Sequence, residues 1–222
     1  MTASTIVLLR HGQTDHNAEG RIQGQIDIPL NDLGRAQAAA MAKVLAPRLL
    51  DPVDLDAAYR GSRVPLSGGA IKVVSSPLSR AVDTASPLAA LLGVAVETDD
   101  VLKERNFGLW EGMTGPEIRE RWPAEHKVWR GGGDPEGVGV ETRLDLGLRV
   151  AAGLRRLAKG MSEGGTLVCV AHGSAITQGL SVLLDLDPQN WFGMRGLYNC
   201  HWAVVTPQGR RPGWLLQAYN VS

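Results

Sequence analysis

Thr5-Ile6-Val7-Leu8-Leu9-Arg10-His11-Gly12 decides how this chain is read. Its first residues form a continuous apolar run rich in β-branched side chains, the pattern of a strand covered on both faces. The run stops abruptly at a basic residue, a histidine and a glycine. Much later the same design returns as Thr166-Leu167-Val168-Cys169-Val170-Ala171, followed by His172-Gly173-Ser174. Between the two, Ile71-Lys72-Val73-Val74-Ser75 reads as another buried strand, leading into Ser76-Pro77-Leu78-Ser79-Arg80.

Helical patterns separate these strands. From Asn31, an N-cap residue type, apolar positions recur at helical spacing to Leu50, although Pro47 puts the last turn in question. Pro77 marks the start of a helix that continues from Ala81 to Leu92. Thr114 and Glu117 have capping-box spacing, and Glu141 to Lys159 is the longest amphipathic stretch. A further helix is expected from Ala175 to Leu184, a short strand over Val94 to Glu97, and late edge strands over His201 to Thr206 and Trp214 to Tyr219. Strands alternating with helices imply an α/β fold with a mostly parallel sheet. No repeat or linker divides the chain, so 1–222 reads as one domain, with a loop insertion at 56–69 inside the Gly, Pro and Asp-rich stretch from Asp51.

Composition narrows the function. Lysine plus arginine and aspartate plus glutamate each total 23 in 222 residues. The balance provides no long-range basic field for nucleic acid or for an anionic membrane, so any anion site must be local. No apolar segment approaches the roughly 20 residues that span a bilayer, and the first residues lack a signal-peptide pattern, which together read as a cytoplasmic protein. Two cysteines far apart, Cys169 and Cys200, fit a reduced compartment, and the apolar neighbours of Cys169 make it a buried small hydrophobe.

In an open parallel sheet, ligands bind beyond the carboxyl ends of the strands. His11 and His172 both stand at such ends, each followed by a glycine that lets backbone approach a ligand, and Arg80 falls in the first turn of its helix. A cation there opposes the helix dipole, so another interaction must hold it. Arg10 and Arg80 offer planar forks matched to phosphate oxygens, and their charge should keep His11 neutral and nucleophilic. Attack on phosphorus needs a proton donor for the departing alkoxide, and Glu104 in Lys103-Glu104-Arg105-Asn106-Phe107-Gly108 is the candidate. An anionic substrate would raise its pKa toward a usable acid, and His172, protonated or donating a hydrogen bond, would stabilise the transferring oxygens. Gly131-Gly132-Gly133-Asp134 follows no strand and reads as a turn. No phosphate-binding nucleotide loop, H-E-x-x-H or Cys/His metal spacing is found. Trp110, Trp122, Trp129 and Trp191 fit a cleft lining and a core equally well.

Leu8-Leu9-Arg10-His11-Gly12-Gln13-Thr14 resembles the signature of the histidine phosphatase superfamily, the phosphoglycerate mutase-like group. Asn17, Arg21-Ile22-Gln23-Gly24-Gln25, Leu30-Asn31-Asp32-Leu33-Gly34, Ser75 to Ala81, Glu104 with Gly108 to Gly112, and Val170 to Gly173 follow in that family's order. The resemblance implies a three-layer α/β/α sandwich with a mixed sheet and no metal or other cofactor. It also implies His11 as phosphohistidine nucleophile, Glu104 as proton donor and acceptor, and Arg10, Arg80 and His172 as the rest of the phosphate pocket. Asn17, Gln23 and Gly24 match positions that meet the phosphoryl group or substrate. Phosphatases and mutases share the first half-reaction. Arg119, Arg121, Arg130 and Arg143 lie between Glu104 and His172, and none sits in the paired arrangement beside a tyrosine that resembles the mutases, so hydrolysis of a small phosphorylated metabolite is favoured. A phosphoglycerate mutase is the rival enzyme, and a non-catalytic phospholigand-binding module is the rival from another class. Gln23-Gly24-Gln25, Asn190-Trp191 and Tyr219 to Ser222 are similar to actinobacterial sugar-phosphoglycerate phosphatases within the family, which implies that substrate class and a homodimer.

Overall fold

A computed structural model describes residues 3–50 and 69–222. The insertion read at 56–69 therefore lies, apart from Gly69, outside the described residues. The strands are β1 (Thr5–Arg10), β2 (Ile71–Ser75), β3 (Val96–Thr98), β4 (Thr166–Ala171), β5 (Trp202–Pro207) and β6 (Trp214–Val221). They form one sheet in the order β3-β2-β4-β1-β5-β6. The first four in that order are mutually parallel, and β5 and β6 are antiparallel additions. This is the mostly parallel mixed sheet that the sequence implies.

The helices among the described residues are α1 (Asp15–Glu19), α2 (Asp32–Leu50), α3 (Ser79–Leu92), α4 (Gly115–Arg121), α5 (Pro123–Arg130), α6 (Arg143–Lys159) and α7 (Gly173–Leu183). Alternation along the strands divides the core between two faces. Ile6, Leu8, Leu167, Cys169 and Ala171 pack under α6 and α7, while Val7, Leu9, Val168 and Val170 pack under α2 and α3. Helices therefore cover both sides of the sheet in an α/β/α sandwich, and β1 and β4, apolar on both faces, occupy its centre. Cys169 is fully buried, as read. No helix among the described residues is long and apolar enough to cross a membrane.

Boundaries move for physical reasons. α2 runs through Pro47 to Leu50, because a proline costs one backbone bond while Leu45, Ala46 and Leu49 stay buried against the sheet. α3 starts at Ser79 rather than Pro77, with Leu78 at its N-cap, and β3 lies two residues later than the Val94 start. α7 starts at Gly173, two residues before Ala175, with His172 itself as N-cap. The Thr114–Glu117 capping box is present, but that helix ends at Arg121 and a second begins at Pro123. Trp110 proves to be core, fully buried with Phe107, Ile118 and Val138.

Candidate active site

Strand register assembles the site. β1 and β4 are parallel with Arg10 opposite Ala171, so His11 and His172 come next to each other just beyond the sheet. Their ring centroids are 5.1 Å apart, about one strand spacing. β2 pairs with β4 on the other side, with Ser75 opposite Val170, and delivers Ser76 and the first turn of α3 to the same edge. Arg10, His11, Asn17, Gln23, Gly24, Arg80 and Glu104 line one cavity of about 150 Å³, together with Arg21, Ile22 and Phe107. Seven of the eight residues assigned from sequence share that wall.

His11 is 3 % exposed. Its Nδ1 lies 2.6 Å from the Gly12 carbonyl, which can only accept, so Nδ1 carries the proton and Nε2 keeps its lone pair. The Gly12 amide is tied in turn to the Thr84 hydroxyl at 2.9 Å, and that hydroxyl donates to the Arg80 carbonyl one turn earlier on α3. A Cβ on Gly12 would stand 2.6 Å from the Gly34 carbonyl, and one on Gly34 would stand 2.0 Å from the Gln13 carbonyl. Backbone of the α2 start thus presses directly on the nucleophile loop.

Arg80 is fully buried, and what holds it against the dipole of α3 is now explicit. Nη2 donates to the Gly24 carbonyl at 2.7 Å, Nη1 to the Ile26 carbonyl at 2.8 Å, and Nε to His172 Nδ1 at 3.2 Å. Gly24 has φ +55, and a side chain there would strike Glu111. The Glu111 carboxylate gathers the amides of Gln25, Ile26 and Phe107, so one half-buried acid shapes the loop that presents carbonyls to Arg80. Arg10 donates Nη1 to the Leu197 carbonyl and keeps Nε buried without a partner among the described residues, the state expected of an anion site.

The Glu104 carboxylate accepts from the amides of Ser174 at 3.1 Å and Ala175 at 2.9 Å, at the N-terminus of α7, and from its neighbour Arg105. The helix dipole favours an acid there. Its backbone carbonyl takes Arg149 Nη2 and Gln25 Nε2, so both ends of the residue are fixed. Gln23 Oε1 accepts from Thr14 at 2.9 Å, leaving its amide hydrogens for the cavity.

His172 departs from its expected part. It is fully buried, is not among the lining residues, and both ring nitrogens are engaged, Nδ1 by Arg80 and Nε2 by Ser76 at 2.8 Å. Burial first, then Arg80 and His11, hold it well below the usual imidazole range, so it is neutral rather than protonated. As placed, it acts through Arg80. For His11 the depression is in the expected direction, but burial is the largest cause and the arginines come second, Arg80 ahead of Arg10. Thr84, Ser76, Glu111 and Asn199 complete the site and were not assigned from sequence. Thr84 was reachable, being four residues from Arg80 on one helix face, whereas nothing local marks Asn199.

The depressed imidazoles set a pH dependence. Below the ordinary value of 6.5 the unfolded chain takes up protons on His11 and His172 that the folded chain refuses, so stability is present above that value and falls as pH drops. If neither ring takes up a proton in the folded state, the loss between pH 7.5 and 5.5 is about 2.7 kcal/mol, about 1.4 for each ring, read as a lower urea midpoint at unchanged slope. Equal midpoints at the two pH values would contradict neutral burial of both rings.

The profile of the histidine phosphatase superfamily (branch 1) matches residues 6–221, and the chain belongs to that family. It is an enzyme of the phosphatase class. A glucosyl-3-phosphoglycerate phosphatase of Mycobacterium tuberculosis is 34% identical over 236 residues, covering 100% of this chain and 96% of that one. The mycobacterial glucosyl-3-phosphoglycerate phosphatase solved with VO3 superposes with a TM-score of 0.81 at 34% identity, covering 99% of this chain and 100% of the other. A probable phosphoglycerate mutase of Yersinia enterocolitica is 32% identical, covering 96% of this chain and 91% of its own.

Proposed function

We propose that this enzyme hydrolyses phosphate monoesters of small glycerate-type metabolites, glucosyl-3-phosphoglycerate foremost, through a phosphohistidine on His11. The observation that carries the reading is the His11 ring. It is buried, neutral, tied through Nδ1 to Gly12, and shares its cavity with the guanidinium groups of Arg10, Arg21 and Arg80 and the carboxyl group of Glu104. In the first step Nε2 bonds to phosphorus, the ester P–O bond breaks, and Glu104 as the acid gives its proton to the alkoxide. In the second, Glu104 takes a proton from water, whose oxygen bonds to phosphorus as the N–P bond breaks and inorganic phosphate leaves. Arg10 and Arg80 balance the charge on the equatorial oxygens throughout, so the residues present suffice without a metal. Asn17, Gln23 and Gly24 contact the substrate in this reading.

Hydrolysis is favoured over isomerisation because a mutase must retain a phosphorylated intermediate with further cations. Arg119, Arg121, Arg130 and Arg143 all lie outside the cavity lining, Arg143 is committed to Asp134 and the Gly132 carbonyl, and Arg21, the third arginine of the lining, is paired with Glu19 and Glu117. One domain, a cytoplasmic location and a homodimer complete the proposal, and the single domain is supported by relatives that match along nearly their whole length. Purified enzyme in excess chelator should release phosphate from glucosyl-3-phosphoglycerate at least about tenfold faster, by kcat/KM, than from sugar phosphates lacking the glycerate, a difference of about 1.4 kcal/mol in transition-state binding. Interconversion of 3- and 2-phosphoglycerate outpacing phosphate release would instead make it a mutase.

A further inference from the structure

Behind the nucleophile runs the segment Leu197 to His201, of which sequence reading placed only His201, at the start of an edge strand, and noted Cys200 as a distant cysteine. It is stitched to the end of β1: the Cys200 amide donates to the Arg10 carbonyl at 3.0 Å, and the Arg10 amide donates to the His201 carbonyl at 3.0 Å. Arg10 Nη1 reaches the Leu197 carbonyl. Cys200 has φ +57, a left-handed conformation that a side-chain-bearing residue adopts only when its surroundings impose it. The segment is braced from the far side by β6, where Asn220 Oδ1 accepts from the Tyr198 amide at 2.8 Å and the Asn220 carbonyl faces His201 Nδ1 at 3.1 Å.

Asn199 stands at the middle of this brace. Its Nδ2 donates to the carbonyl of His11 at 2.9 Å and to Oδ1 of Asn17 at 3.3 Å. Asn17 Oδ1 also receives the Thr14 amide at 3.3 Å. With its oxygen drawn on by two donors, the Asn17 carboxamide has one orientation left, NH2 toward the cavity it lines. Both acceptors that Asn199 faces carry lone pairs only. A neutral nitrogen with two hydrogens satisfies them, and a carboxylate in its place would face them oxygen to oxygen.

We propose that Asn199 is a positioning residue for phosphoryl transfer: its carboxamide fixes the backbone of His11 and the orientation of Asn17, so that Asn17 offers N–H donors to the phosphoryl oxygens. The inference rests on the phosphatase reading above. It differs from a merely structural role because its effect travels through Asn17, and donors aimed at transferring oxygens matter most in the transition state.

The test is a double-mutant cycle on Asn17→Ala and Asn199→Ala, with kcat and KM for one phosphoester and inhibition by vanadate, a mimic of five-coordinate phosphorus. Asn199→Ala should lower kcat about 10- to 30-fold and weaken vanadate by a similar factor, with KM changed less than about threefold. In the Asn17→Ala background the same substitution should cost less than about threefold, because the route through Asn17 is already lost and the His11 carbonyl still faces the Cys200 amide at 3.4 Å. Asn199→Asp, of the same shape, should be slower than Asn199→Ala, and it carries the same cycle if the alanine variant does not fold. Effects that simply multiply in the double variant, or a kcat within about twofold of the parent at unchanged vanadate affinity, would overturn the inference. Failure of the underlying reading looks different: a His11→Ala control that turns over like the parent removes the phosphatase mechanism itself, whatever the cycle shows.

Discussion

His11→Ala should abolish turnover, by at least about four orders of magnitude in kcat, while leaving the protein folded. That ratio corresponds to about 5.5 kcal/mol of lost barrier reduction. The expectation of a folded variant follows from how the ring is held. It is buried uncharged and makes one hydrogen bond, to the carbonyl of the next residue, so its removal strands no ion. Gly12 stays tied to Thr84 and the His11 amide to the Ala171 carbonyl, so the loop keeps its course. The decisive measurement pairs steady-state rates with trapping of the covalent intermediate. Parent enzyme quenched during turnover of a labelled phosphoester should carry label that withstands alkali and is lost in acid, the stability pattern of phosphohistidine. The variant should carry none, with an unchanged far-ultraviolet circular dichroism spectrum. Turnover near the parent rate in the variant would place the nucleophile elsewhere.

Arg80→Ala should lose both activity and stability, which sets it apart from His11→Ala. The guanidinium carries one side of the phosphoryl charge, and loss of a preorganised donor of this kind costs about 10²–10³ in kcat. It is also the hub on which Gly24, Ile26 and His172 converge. Without it the buried Gly24 carbonyl, the partly buried Ile26 carbonyl and a ring nitrogen lose their donor, worth about 3 kcal/mol together even after relaxation. Arg80→Lys is the informative companion. One ammonium cannot span three acceptors fixed around a planar fork, so it should recover part of the stability and little of the rate. Thermal unfolding and kcat on the two variants check this, and full activity in Arg80→Lys would show that charge alone suffices at this position.

The chain announces its sheet more openly than its site. β1 and β4 were readable to within a residue because a strand buried on both faces has no polar position to blur its pattern. Ends of helices were less legible, since α2 continues past Pro47 on tertiary packing that no local rule contains. Arg80 could be flagged as an anomaly, a cation against a helix dipole, but its three acceptors come from residues 24, 26 and 172, a convergence visible only in the fold. The His172 ring lies 5.1 Å from that of His11, and its engagement by Ser76 and Arg80 leaves it neutral, so of the two states expected for it, protonated or hydrogen-bond donor, the charged one is lost. Asn199 lies 188 residues from the carbonyl it supports, so no sequence window contains both.

The interlocked glycines at positions 12 and 34 have a consequence for what can move beneath the nucleophile. Because backbone meets backbone there, with no side chain to compress, the floor beneath His11 can shift only if the 19-residue helix α2 shifts as a rigid rod with it. That floor behaves as an anvil. By contrast, the stretches of the lining that carry Arg21 to Gly24 and Glu104 to Phe107 lie outside the helices and strands of the fold.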